Sequence, residues 1–192
     1  MDLNMNTSRH HLPGDLAIWI FIFAELSVFG ILFLAFAFAR KYNLEMFNEG
    51  QLVLVKTYGA LNTLVLITSS YFVVNAVNAI KSNLSKHCSR WLFSALFTGS
   101  IFIIIKLIEY KEKFAAGYDL DTNVFFMFYF ILTFFHFMHV ILGMIILTVV
   151  AIKAHKGEYS SQNYTGVETG ASYWHMVDLV WVILFPLVYV MR

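Results

Sequence analysis

The chain has 192 residues, of which 59% are hydrophobic and only 13% charged, with a mean hydropathy of +0.70. A water-soluble domain carries roughly 25% charge and 45–50% apolar residues, so lipid must be the solvent for much of this chain. The formal charge of +1 offers no basic field for nucleic acid, and no nucleic-acid motif is present. The single cysteine, Cys88, excludes an intrachain disulfide and any zinc or iron–sulfur site built on several thiolates. Its polar neighbours Lys86, His87, Ser89 and Arg90 place it in a loop, chemically idle.

A helix needs about 20 apolar residues to cross about 30 Å of hydrocarbon. Five stretches qualify: roughly 16–39, 57–80, 91–109, 124–152 and 172–191. The lipid core offers no water to backbone groups, so uninterrupted runs of this length are helices. The fold class is therefore all-α, a polytopic membrane protein with a single membrane domain made of a bundle of five transmembrane helices. The connecting segments 40–56, 81–90, 110–123 and 153–171 are short and polar. The first run is too long for a signal h-region and is expected to stay in the mature protein. Pro13-Gly14-Asp15 opens it as helix-start residues do, and Pro186 inside the last run is expected to kink it. Counting Lys and Arg gives Arg9, Lys81, Lys86, Arg90, Lys153 and Lys156 on the N-terminal side. The other side holds Arg40, Lys41, Lys56, Lys106, Lys111, Lys113 and Arg192, so charge does not set the orientation.

Ionisable groups within hydrocarbon are costly, at about 2.5–3.5 kcal/mol each on insertion scales, so the few present carry information. In the first span, Glu25 has only Ser27 and Asp15 as polar neighbours on its own helix, and neither is a cation. Two readings stand: a proton-linked or lipid-contacting carboxyl, or a neutral acid hydrogen-bonded to a neighbouring helix. In the second span, Asn62, Ser69 and Ser70 are suited to bonds between helices. Glu109-Tyr110 ends the third span beside Lys106, Lys111 and Lys113, and Lys106 and Lys113 are expected to snorkel to headgroup depth.

In the fourth span, His136 and His139 share one helical face, which Gly143 extends by a turn. Metal ligation, haem ligation and interhelical hydrogen bonding are all conceivable. Two histidines form half a metal site, which Asp178 or His175 could complete, and a bis-histidine haem needs pairs facing across helices. Packing and hydrogen bonding between spans four and five is the preferred reading. The fifth span opens with Tyr173-Trp174-His175-Met176-Val177-Asp178, in which His175 and Asp178 share a face. Trp174, Asp178 and Trp181 form a second stripe, placed near the interface where tryptophans anchor helices. Asp178 could pair with His175 or with a histidine of the fourth span. No phosphate-binding glycine loop, HExxH or GxSxG is present, and the histidines are too few for a haem plus a copper site. No metal site and no cofactor are expected in this chain.

Several of these motifs, in this order, resemble subunit III of the haem-copper oxidase family, found in cytochrome c and quinol oxidases. The most specific piece is Tyr173-Trp174-His175-x-Val177-Asp178-x-Val180-Trp181, preceded by Glu168. Phe135-His136-x-x-His139-Val140-x-x-Gly143, Leu61-Asn62-Thr63 and Glu109-Tyr110 resemble further helices of that family, and Glu25 stands where it has a carbodiimide-reactive glutamate. The first two helices of seven-helix members, which frame one wall of a lipid-holding cleft, have no counterpart, as in five-helix members. The opening His11-Leu12-Pro13-Gly14-Asp15 and the closing Phe185-Pro186-Leu187 most resemble the subunit III-like protein associated with bacterial nitric oxide reductase.

The resemblance implies a non-catalytic accessory subunit of a bacterial inner-membrane respiratory complex, with its N-terminus in the cytoplasm. It would pack against the catalytic haem-copper subunit I, bind phospholipid, and sustain proton uptake, with haem and copper or iron confined to that partner. Two other readings are an assembly factor and a small proton-coupled transporter with Glu25 as carrier. A stand-alone membrane cytochrome is a weaker third.

Overall fold

The computed structural model describes residues 14–191. Arg9, His11, Leu12, Pro13 and Arg192, used in the sequence reading, lie outside the described residues. Six α-helices follow in order: α1 (Leu16–Tyr42), α2 (Leu44–Val53), α3 (Lys56–Lys81), α4 (Ser85–Ala115), α5 (Val124–His155) and α6 (Thr165–Phe185). A π-helical segment, Pro186–Val190, continues α6. Five of these elements are long and apolar enough to cross a membrane, so the chain is an all-α, multi-pass membrane protein.

Helices α3, α4, α5 and α6 form a closed ring, each packed on its two neighbours, while α1 leans on α5 and α6 from outside. The ring is pinned by side chains that reach a neighbour's carbonyl. Ser69 donates to Ala95 O at 2.9 Å, Ser89 to Ala151 O at 3.1 Å, and Ser85 to Ala154 O at 2.5 Å. Small donors of this kind let helices approach closely and join across the bundle.

The helix ends have local causes. α3, α4 and α5 each stop in the same motif, with Asn83 (φ 60°), Gly117 (φ 83°) and Gly157 (φ 77°) in the left-handed region. In each, the amide of the residue after that turn bonds back to the third-last helical residue: Leu84 to Ala79 O, Tyr118 to Lys113 O, and Glu158 to Lys153 O. Glycine and asparagine take that conformation with little steric penalty, and the returning bonds satisfy the orphan carbonyls. At the other end of α5, the Asn123 side chain accepts from Phe126 N at 2.9 Å, a side-chain N-cap.

Four expectations change. Residues 40–56 are not merely a polar loop, because Leu44–Val53 forms α2, which buries Phe47 and Gln51. Ten residues, half of them apolar, are too short for a span but long enough to cover the end of the bundle. Gln51 Nε2 caps it, donating to Val188 O at 3.1 Å, a carbonyl in the π segment. The third span, helix α4, starts at Ser85, six residues before the expected 91, so Cys88 is not in a loop: it is fully buried on α4. The last helix starts at Thr165, not 172, which moves the tryptophan motif from the interface into the middle of the helix. At Pro186 the α-helix gives way to the π segment, consistent with a ring nitrogen that cannot donate.

Candidate functional site

Glu25 sits midway along α1, where α1 crosses α5. Its Oε2 lies 2.9 Å from His139 Nε2, and both side chains are mostly buried. His139 Nδ1 is 2.8 Å from Phe135 O. A carbonyl only accepts, so Nδ1 carries a hydrogen. One proton therefore occupies the Glu25–His139 bond, held as acid and imidazole or as carboxylate and imidazolium. Either way the pair is neutral overall, which suits its depth in the span. The Phe29 ring stands 5.2 Å from the His139 ring and covers it on the α1 side. Glu25 thus has a basic partner that its own helix does not supply. His139 in turn joins α5 to α1 rather than to the last span, although its carbonyl accepts from Tyr173 OH of α6 at 3.3 Å.

His136 does not share this bond. It is fully buried, packed against Trp181 at 5.2 Å, Phe102 at 5.8 Å and Phe29 at 6.4 Å between ring centroids. Among the described residues, no three His, Cys, Asp or Glu side chains converge as metal ligands do.

On α6 the motif residues divide by face. Trp174 and Trp181 are fully buried. Trp174 lies on Gly99 and Gly143, whose missing side chains leave room for its ring; a Cβ on Gly143 would stand 2.9 Å from it. Trp181 donates from Nε1 to Thr63 Oγ1 of α3 at 3.0 Å. Asp178 and His175 are not a direct pair: Ser70 of α3 stands at both, with its Oγ 3.3 Å from His175 Nδ1. Glu168, at the start of α6, pairs with Lys81 at 3.0 Å and accepts from Gly14 N at 3.2 Å, tying α1, α3 and α6 together at one end. Asn62 is fully buried and, among the described residues, neither atom of its amide has a hydrogen-bond partner.

The expected snorkelling of Lys106 and Lys113 is overturned. Lys106 is fully buried and bonds Glu109 Oε2 at 2.9 Å and Tyr189 OH at 2.7 Å. The rings of Tyr110, Tyr129, Trp181 and Tyr189 surround its ammonium at 5.1–5.5 Å. Glu109 Oε1 accepts from Tyr129 OH at 2.9 Å and from Tyr189 OH at 2.7 Å. Lys113, also buried, donates to Val53 O at 2.7 Å. The physical reason is the length of α4: it runs on to Ala115, so Lys106 lies two turns inside its end, and its i, i+3 acid gives it a buried partner. Removing Lys106 from the positive-charge count still leaves the two sides undecided.

A cavity of about 470 Å³ opens between α1, α3 and α6, apolar along Ile22, Leu26, Val74 and Leu179 and polar at the end that holds Lys81 and Glu168.

The family model for cytochrome c oxidase subunit III matches residues 14–192. The chain belongs to the cytochrome c oxidase subunit III family. Cytochrome c oxidase subunit 3 of Thermostichus vulcanus is 35% identical over 92% of this chain and 86% of its own length. The Synechocystis protein of the same name is 33% identical over 95% of this chain and 78% of its own length. The Aeropyrum pernix heme-copper oxidase subunit I+III is 32% identical over 90% of this chain and 22% of its own length.

The sequence reading singled out most residues of the polar core, Ser70 among them as a bond between helices, but missed Lys106, Tyr129 and Tyr189 as parts of it. The Lys106–Glu109 spacing was the available signal. Two opposite charges three apart on a helix face each other, and a pair so placed can be buried where a lone lysine cannot.

Proposed function

We infer that this chain is the subunit III-like accessory component of a bacterial haem-copper oxidase or nitric oxide reductase complex. It supports the stability, lipid environment and proton uptake of a catalytic subunit I without carrying electrons. The observation that carries this reading is the alignment of nearly the whole chain with one portion of a protein named as subunit I and subunit III in one polypeptide. Two parts joined in one chain stay at high local concentration, so the relative supports a stable partner over a transient assembly factor. Haem and copper or iron belong, in this reading, to the partner. The chain sits in the plasma membrane with its N-terminus in the cytoplasm. The opening and closing motifs favour nitric oxide reductase over oxygen reductase.

The groove between α1, α3 and α6 supports the lipid role. An acyl chain fits the apolar wall, and an anionic headgroup meets Lys81, whose side chain is half exposed. Glu25, bonded to His139 and partly exposed, is the carbodiimide-reactive carboxyl of this reading. Of the polar motif residues, Glu109, Glu168, His175 and Trp181 join helices by hydrogen bonds or an ion pair, and His136 and Trp174 join them by packing.

The test is purification of the tagged chain in mild detergent from its native membrane. A large haem-containing subunit is expected to accompany it, and deletion of the gene is expected to lower nitric oxide reduction by those membranes. A chain that purifies alone, and whose deletion changes neither nitric oxide nor oxygen reduction, overturns the reading. Proton or solute flux from the chain alone in liposomes would favour the transporter.

A further inference from the structure

Six side-chain atoms in the bundle core are buried and have no hydrogen-bond partner among the described residues. They are Asn62 Nδ2 and Oδ1, His136 Nδ1 and Nε2, Trp174 Nε1 and Asp178 Oδ1. Asn62, His136 and Trp174 are fully buried residues. Buried polar atoms are nearly always bonded, to protein or to ordered water, and lipid cannot do this for them.

His136 packs on the Trp181 ring, and the other residues lie on the helices beside it. Trp181 is 5.2 Å from the His136 ring, and Phe102 packs on both, at 5.0 Å from Trp181 and 5.8 Å from His136. Trp181 Nε1 bonds Thr63, the residue next to Asn62. Asp178 precedes Trp181 by one helical turn and follows Trp174 by another, on the same face of α6.

The unmet groups are of both kinds. The amide of Asn62 offers two donors and an acceptor, a neutral His136 one of each, Trp174 a donor and Asp178 an acceptor. A ligand that satisfies them must be small, and must donate and accept at once. We propose that the core between α3, α5 and α6 binds ordered water, held by the unpaired polar groups of Asn62, His136, Asp178 and Trp174. Water enters by a polar route from the groove: His175 lines that cavity, and Ser70 stands between His175 and Asp178. The water joins the unpaired groups into one network, as ordered interior water does where it has two to four polar partners.

The test uses the full chain, labelled with ¹⁵N-histidine and reconstituted in phospholipid bilayers, and transfer of magnetisation from water protons to the histidine ring nitrogens. A water cross-peak is expected at His136 as well as at the groove-lining His175. Asn62→Leu keeps the volume and removes the amide, and is expected to weaken the His136 peak while leaving that of His175. A clear water peak at His175 with none at His136 overturns the proposal. An undiminished His136 peak in a folded Asn62→Leu protein removes Asn62 from the site. If that variant does not fold, the wild-type spectrum decides alone.

Discussion

Glu25 and Lys106 are both ionisable groups inside spans, and each is made tolerable by one partner. For Glu25 that partner is His139 on another helix; for Lys106 it is Glu109 one turn away, with Tyr189 and Tyr129 completing the shell. The two arrangements answer differently to mutation. Glu25→Gln keeps the shape and can still bond His139, so the melting midpoint in detergent is expected to change little while carbodiimide labelling is lost. Labelling at full level in that variant contradicts the assignment. Lys106→Met leaves Glu109 buried with no cation, and a broken buried pair typically destabilises by about 3–5 kcal/mol. The double variant Lys106→Met with Glu109→Gln is expected to recover most of that loss, measured as the unfolding midpoint of the purified chain. A double variant as unstable as the single would mean that the ring cage, not the charge pair, holds α4 to the C-terminal segment.

At the scale of the helices, contact is governed by where side chains are missing as much as by where they are. Gly143 and Gly99 admit the Trp174 ring between α5 and α4. Gly143→Ala is expected to destabilise by about 1–3 kcal/mol through overpacking, read as a lower unfolding midpoint; an unchanged midpoint would show that the Trp174 ring can shift freely. The Asn123 cap is a separate, local contribution, and Asn123→Ala is expected to lose about 1 kcal/mol by the same measurement. Hydropathy made the number and order of the spans legible because each must cross the same thickness of lipid. Their ends were less legible: α4 and α6 run on through Ser85–Arg90 and Thr165–Gly170, where composition is polar but the helical bonds continue outside the hydrocarbon. The amphiphilic α2 has too few residues to register as a span. Pairings across helices were the hardest part. His139 with Glu25 joins residues 114 apart in sequence, and Ser70 with His175 joins residues 105 apart. No local periodicity contains that information, whereas the motif residues themselves stood out because polar groups are rare in such spans.

For the whole molecule, the closed ring of α3 to α6 carries the core, and α1 is left with a largely uncovered outer face. In the groove between α1, α3 and α6 an apolar wall meets a cation–acid pair, Lys81 and Glu168. Val77→Trp fills part of that groove from the α3 side. It is expected to lower the phospholipid retained per chain after mild-detergent purification, with the unfolding midpoint unchanged; undiminished phospholipid would place the bound lipid elsewhere. In the proposed function, polar groups join helices and electron transfer is left to a partner. The most direct measurement is the haem and metal content of this chain once separated from the purified complex, beside that of the complex itself. Expected is a complex with haem absorption and a separated chain with neither colour nor stoichiometric metal. A separated chain that keeps haem, or one metal ion per polypeptide, contradicts it.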